Sequence, residues 1–308
     1  MTLLFQKEGI FSSLQNLRGI GRQSFGINPR GPMDRFAARV ANLLAGNDED
    51  GSVLEMHFPA AQIEFGEDCR FALAGADFAA ALNGIPARNW AAHSARSHDV
   101  LKFEGKVFGS RSYLAIEGGM KTDRAGYSTI RLAKGSIVER EAGNFIDCHQ
   151  SESSFVSKSI LPAYSSFPTV RVLPGGEFGL LSDAAIRALT SEPFVLSNES
   201  DRMGYRLDGP VLSATEPAEM VSAAVTFGTI QLPPDGQPIV LMADHQTSGG
   251  YPRVANVISA DLPLLGQLGP QDKVSFQLAN IEEAERAAMQ MERNLKKLRT
   301  GIRFGRFW

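Results

Sequence analysis

The feature that most restricts this fold is a succession of short apolar segments, nearly all bounded by Gly, Pro, Asn or Asp. Residues 62–65, 70–74, 100–104, 112–117, 170–173, 194–197, 205–207 and 239–243 all read this way. Near the C-terminus, Val274, Phe276 and Leu278 alternate with Lys273, Ser275 and Gln277, the period of a strand with one buried face. Many short strands with frequent turn punctuation favour rolled or closed antiparallel sheets.

Three stretches break the pattern with helical period. In residues 34–45, Phe36, Val40, Leu43 and Leu44 form one stripe, Pro32 and Asp34 mark the start, and Gly46-Asn47 marks the stop. Residues 182–190 have Ser182 as N-cap, Ile186 and Leu189 inward, and Pro193 beyond the end. Residues 281–298 carry acids first (Glu282, Glu283, Glu285) and bases last (Lys296, Lys297, Arg299), as the helix dipole favours. The expected class is mainly β with a few helices.

At 308 residues the chain exceeds a typical single domain. The serine-rich segment 150–168, with Pro162 and Pro168, reads as a linker, giving expected units at 1–165 and 166–308. An internal echo agrees with a duplicated β unit: Val100-Leu101-Lys102-Phe103 before Tyr113-Leu114-Ala115-Ile116 parallels Thr229-Ile230-Gln231-Leu232 before Val240-Leu241-Met242-Ala243.

Charge and cysteine content exclude several classes. With 31 basic and 34 acidic residues, the formal net charge of −3 offers no footprint for nucleic acid or an anionic membrane. Cys69 and Cys148 match no zinc framework and read as isolated buried thiols, so no metal is expected. The N-terminus has no signal-peptide core, and no run approaches the ~18 apolar residues of a membrane span, so a cytoplasmic location is expected. Residues 46–52 have the outline of a phosphate loop, but the lysine is missing and Asp48, Glu49 and Asp50 repel phosphate. The G-x-S-x-G and H-E-x-x-H patterns do not occur, and His57, His93, His98 and His149 lie in no ligand-like spacing.

One stretch concentrates chemistry beyond what packing requires. An apolar strand at 239–243 delivers Asp244-His245-Gln246-Thr247-Ser248-Gly249-Gly250-Tyr251-Pro252-Arg253, a mixture of acid, imidazole, amide, hydroxyl and guanidinium on a glycine loop. Asp244 or His245 can move a proton, Gln246 can hold an amide or urea edge, and the glycines let backbone amides approach an anionic oxygen. An Asx-turn with a proline-stiffened exit is the structural alternative. A second cluster, Ser200-Asp201-Arg202-Met203-Gly204-Tyr205-Arg206, puts two arginines beside a tyrosine. Arg202 can clamp a carboxylate bidentately or form an internal ion pair with Asp201 or Asp208. In the third, Gly31-Pro32-Met33-Asp34-Arg35, helix capping accounts for Asp34.

Together these clusters, with Ala41-Asn42-Leu43-Leu44 and Ile258-Ser259-Ala260-Asp261-Leu262, resemble the biotin-dependent carboxyltransferase or allophanate hydrolase subunit 2 family. That family includes the C component of bacterial 5-oxoprolinase and the second half of the urea carboxylase carboxyltransferase domain. The resemblance runs over about residues 15–278. It implies two cyclophilin-like β-barrel units, a partner homologous to the B component of 5-oxoprolinase, and an A component completing an ATP-driven opening of 5-oxoproline to glutamate. ATP then acts at the level of the complex.

From the chemistry of these residues, the expected site has Asp244, His245 and Tyr251 as the catalytic set, and Gln246 and Thr247 on the amide edge. The Gly249 and Gly250 amides face an oxyanion, Arg202 or Arg253 holds a carboxylate or phosphate, and Gln231 and Tyr205 complete the wall. Two alternatives come with the family: carboxyl transfer from carboxybiotin to a urea-like acceptor, and regulatory binding of a kinase-inhibitor homologue of the B component. Three stretches depart from the family pattern: Gln15-Asn16-Leu17-Arg18-Gly19, Pro59-Ala60-Ala61 and Ala125-Gly126-Tyr127-Ser128-Thr129. The tail, with Arg303 and Arg306 among Phe304, Phe307 and Trp308, is expected to dock on a partner.

Overall fold

In the computed structural model, which describes residues 2–17, 21–122, 131–141, 155–215 and 220–303, the short apolar segments form strands and the periodic stretches form helices. Arg18, Gly19, the 125–129 stretch, Cys148, His149, residues 150–154 of the serine-rich segment and the tail 304–308 lie outside the described residues. Two compact units are present. One comprises Met1–Gly19, Asp34–Leu161 and Glu292–Trp308, the other Ile20–Met33 and Pro162–Met291.

The first unit contains β1 (Thr2–Lys7), β2 (Ser12–Gln15), α1 (Arg35–Ala45), β3 (Val53–Met56), β4 (Gln62–Phe65), β5 (Cys69–Asp77), β6 (Ala80–Leu82), β7 (Ile85–Pro86), β8 (Ala91–Ala95), β9 (Val100–Phe103), β10 (Phe108–Ile116) and β11 (Ile137–Glu139). They build a six-stranded sheet, β11-β1-β4-β9-β6-β7, and a five-stranded sheet, β2-β3-β10-β5-β8. Alternate residues of both sheets, among them Leu3, Phe5, Ile63, Leu73 and Leu114, share one buried core. Of the two expected cyclophilin-like β-barrel units, closure is not shown for this one: among the described residues, no strand pairing joins the edges of these two sheets. Instead, isolated bridges Ser13–Arg131 and Ala91–Phe155 cover residues of the edge strands β2 and β8.

The opposite face of the five-stranded sheet is also buried and sets polar groups among small apolar residues such as Ala72, Ala74 and Ala115. Tyr113 lies beside Glu55 across β10 and β3, and its hydroxyl donates to Glu55 Oε2 (2.8 Å) while accepting the Asp34 N–H (2.8 Å). Asp34 Oδ1 accepts the Ala37 N–H at 2.9 Å, the predicted N-cap, and Gly46 closes α1 at φ 84°. Burial pushes the Tyr113 phenol well above its usual range, with the Glu55 charge adding to the effect.

The second unit contains β12 (Thr169–Pro174), α2 (Asp183–Ser191), β13 (Phe194–Leu196), β14 (Gly204–Asp208), β15 (Ala223–Ala224), β16 (Thr229–Gln231), β17 (Ile239–Leu241), β18 (Ser248–Gly249), β19 (Arg253–Val257), α3 (Leu262–Gly266) and β20 (Lys273–Leu278). Seven of these strands close a barrel in the order β12-β19-β16-β17-β14-β13-β20. Closure comes from a parallel pairing, Thr169 with Ser275 through Val172 with Leu278. Val170, Phe194, Leu207, Val240, Val254 and Phe276 belong to its core. Ser182 Oγ caps α2 from the Ala185 N–H at 3.1 Å, and Leu189 joins the same core. The short α3 has no counterpart in the sequence reading, because five residues including Pro263 are too few for a helical period. A final helix, α4 (Ile281–Arg303), extends the predicted 281–298 stretch. Among the described residues, no helix is long and apolar enough to cross a membrane.

Candidate functional site

The loop 244–253 leaves the barrel at the end of β17 and re-enters at β19, and an arginine–carboxylate fork holds each end. At the first end, Arg202 Nε and Nη2 donate to Asp244 Oδ2 and Oδ1 at 2.8 and 3.0 Å. Nη2 also donates to the Gly31 carbonyl at 2.6 Å, so one guanidinium ties together residues from all three sequence clusters. Backbone bonds Asp244 N–H to Arg202 O and Met242 N–H to Met203 O, both 2.9 Å, continue the β14–β17 pairing toward the fork. Arg202 is thus an internal ion pair, with Asp244 in place of Asp201 or Asp208 as partner.

At the second end, Arg253 Nε and Nη2 donate to Glu177 Oε2 and Oε1 at 2.9 and 2.7 Å, and its backbone N–H donates to Oε2 at 2.8 Å. The Arg253 side-chain hydrogen bond holds the Glu177 carboxyl below the usual carboxylate range, against a smaller opposing effect of burial. The same bond raises the Arg253 guanidinium. Sequence reasoning missed Glu177. Its signal was Gly175-Gly176 directly after β12: a Cβ on Gly175 would lie 2.0 Å from the Arg253 carbonyl oxygen, so this turn reaches the β19 backbone only as glycine. A third fork, Arg171 to Asp261 with Nε and Nη2 bonds of 2.9 and 2.6 Å, accounts for the acid in the Ile258–Leu262 motif.

Between the forks the loop folds back over the barrel wall. Strand β19 carries one extra residue against β16: Ile230 pairs with Ala255 and Gln231 with Arg253, a β-bulge that leaves Val254 unmatched. Arg253 Nη1 donates to the Ala224 carbonyl of β15 at 3.1 Å. Strand β15 pairs with β18, and Gly249 of β18 lies against the Gln231 side chain, where a Cβ would stand 2.3 Å from Nε2. Gln231, Arg253 and the β15–β18 pair are thus in contact in turn.

The remaining predicted residues divide by exposure. Gln246 and Thr247 are half-buried, Gly250 is exposed, and Tyr251 is 45% exposed. His245 is buried, and its Nδ1 lies 2.5 Å from the Gln246 carbonyl; a carbonyl only accepts, so Nδ1 carries the proton. Tyr205 is also buried, in the barrel core, and donates to the Leu268 carbonyl at 3.3 Å; its alternating position on β14 points it inward, away from a ligand-facing wall.

Comparison with known proteins accords with these motifs. Residues 25–278 match the family model described as carboxyltransferase domain, subdomain A and B. The C component of 5-oxoprolinase from Haemophilus influenzae is 32% identical over 296 residues, covering 94% of each chain. The C component from Escherichia coli is 32% identical, covering 95% of this chain and 96% of its own. Among solved structures, TTHA0988 superposes with a TM-score of 0.79 at 29% identity over 90% of this chain, which spans 55% of the length of TTHA0988. The chain belongs to the family of biotin-dependent carboxyltransferases and the C components of 5-oxoprolinase.

Proposed function

We propose that this chain is the C component of an ATP-dependent 5-oxoprolinase, acting with B-like and A-like partners to open the lactam of 5-oxoproline to L-glutamate. The carrying observation is near-full-length identity of 32% to two bacterial C components of that enzyme, with the loop 244–253 inside the matched span. Opening a lactam requires water to add its oxygen to the carbonyl carbon, charge on the carbonyl oxygen to be stabilised or captured with phosphate, and the nitrogen to receive a proton as the C–N bond breaks. Gln246, Thr247 and Tyr251, with the backbone of Gly249 and Gly250, are the loop groups available to such a ligand. The forks act as positioning devices: Arg202 fixes Asp244, and Glu177 fixes Arg253.

ATP is a co-substrate of this reaction. Both arginines of the loop ends are already bound by carboxylates, which supports a triphosphate held by a partner and an amide presented by this chain. Use of ATP also fits a cytoplasmic complex. The test is glutamate formation in the reconstituted complex: Asp244→Asn and Arg202→Ala lower turnover roughly tenfold or more through lost positioning. Unchanged turnover in folded variants would place the site elsewhere.

A further inference from the structure

Gln231 is 2% exposed, yet among the described residues its Nε2 is buried without a hydrogen-bond partner. A buried amide N–H left unpaired opposes folding, and such a group points to a ligand or a catalytic use. Its surroundings hold it in place. The residue sits on a barrel strand at the bulge opposite Arg253, with Gly249 directly against the amide. Any other residue at 249 would drive the amide away, since a Cβ there would lie 2.3 Å from Nε2. The covering strand β18 is short: it pairs with β15 at Ala223 with Gly249 and Ala224 with Ser248, and beyond these the Val225 N–H donates to the Thr247 carbonyl at 3.3 Å.

We propose that the Gln231 amide is the donor to the carbonyl oxygen of a planar lactam or amide ligand, uncovered when the Ser248–Gly249 strand lifts. Gly249 keeps the donor shielded from water until then, so it enters the bond without competing solvent. The inference rests on the proposed lactam reading for its substrate, but not for its geometry, and the two can fail separately.

The test uses the reconstituted complex and Gln231→Met, which keeps the bulk and removes the donor. Loss of a pre-set donor to a developing oxyanion lowers turnover of 5-oxoproline by about 10²–10³-fold. The melting temperature stays the same or rises, because an unpaired buried donor is gone. In parallel, 2-pyrrolidinone raises the melting temperature of the wild-type chain while pyrrolidine, without the carbonyl, does not; Gln231→Met abolishes the response. Gly249→Ala reproduces both losses. A cystine between Ala224→Cys and Ser248→Cys blocks the response when oxidised and restores it on reduction.

Full turnover or a retained 2-pyrrolidinone response in Gln231→Met overturns the proposal, as does a loss of activity that merely follows a lowered melting temperature. Equal responses of the oxidised and reduced double variant would overturn the uncovering step. If the wild-type complex leaves 5-oxoproline intact while the 2-pyrrolidinone response still depends on Gln231, the lactam-opening reading fails and the donor assignment stands.

Discussion

Each arginine fork in the barrel unit joins segments far apart in sequence: Arg202 with Asp244, Arg253 with Glu177, Arg171 with Asp261. Only a planar guanidinium can satisfy two carboxylate oxygens and, for Arg202, the Gly31 carbonyl as well. Arg202→Lys, which keeps the charge, is therefore expected to lower stability by about 1–3 kcal/mol in urea unfolding; a change within error would mean the charge alone suffices. Glu177 gives a pH signature. Its folded pKa lies below the unfolded value, so its contribution is complete above about pH 4.5 and is lost as pH falls through the folded pKa. Glu177→Gln should flatten the acid limb of a stability–pH curve, and parallel curves would mean that the fork adds nothing to stability. Burial, with Glu117 adding to it, pushes the Cys69 thiol up to about 12, so alkylation at pH 8 should label Cys69 only in denaturant. Rapid labelling of the native protein would contradict that burial.

At the scale of elements, local signals carried the fold a long way. The caps Asp34 and Ser182, the apolar stripe of α1 and the alternation in β20 set element positions directly, because each depends on neighbours a few residues away. The polar composition of loop 244–253 was visible for the same reason, being contiguous. Glu177 was not: its partner lies 76 residues away, and the fork exists only because a glycine turn approaches β19. The bulge at Val254 was equally hidden, since register is a property of two strands and not of either sequence. Leu278 shows the limit of alternation, for it continues the apolar period of β20 but lies 38% exposed at the strand end. Gly175→Ala tests the close approach. Forcing a Cβ into the β19 backbone should destabilise by about 1–3 kcal/mol and weaken the Glu177–Arg253 fork. Wild-type stability in that variant would show that the turn is free to move.

For the whole molecule, similar strand patterns in the two halves led to different closures. The second unit completes a barrel because β12 and β20 pair in parallel, whereas the first distributes its strands between two sheets over a common core. The internal echo does not extend to pairing: β16 and β17 are neighbours in the barrel, whereas β9 and β10 lie in different sheets. The loop with its two forks lies wholly in the barrel unit. Both of its arginines are occupied by internal carboxylates, and the proposed division of labour puts ATP on a partner and the amide on this chain. The most direct measurement is an omission series with this chain, its B-like partner and its A-like partner, following glutamate and ADP from 5-oxoproline and ATP. Coupled formation of both products is expected only when all three are present. Full activity without this chain, or a tight complex with the B-like partner and no turnover when all three are mixed, would contradict that division of labour.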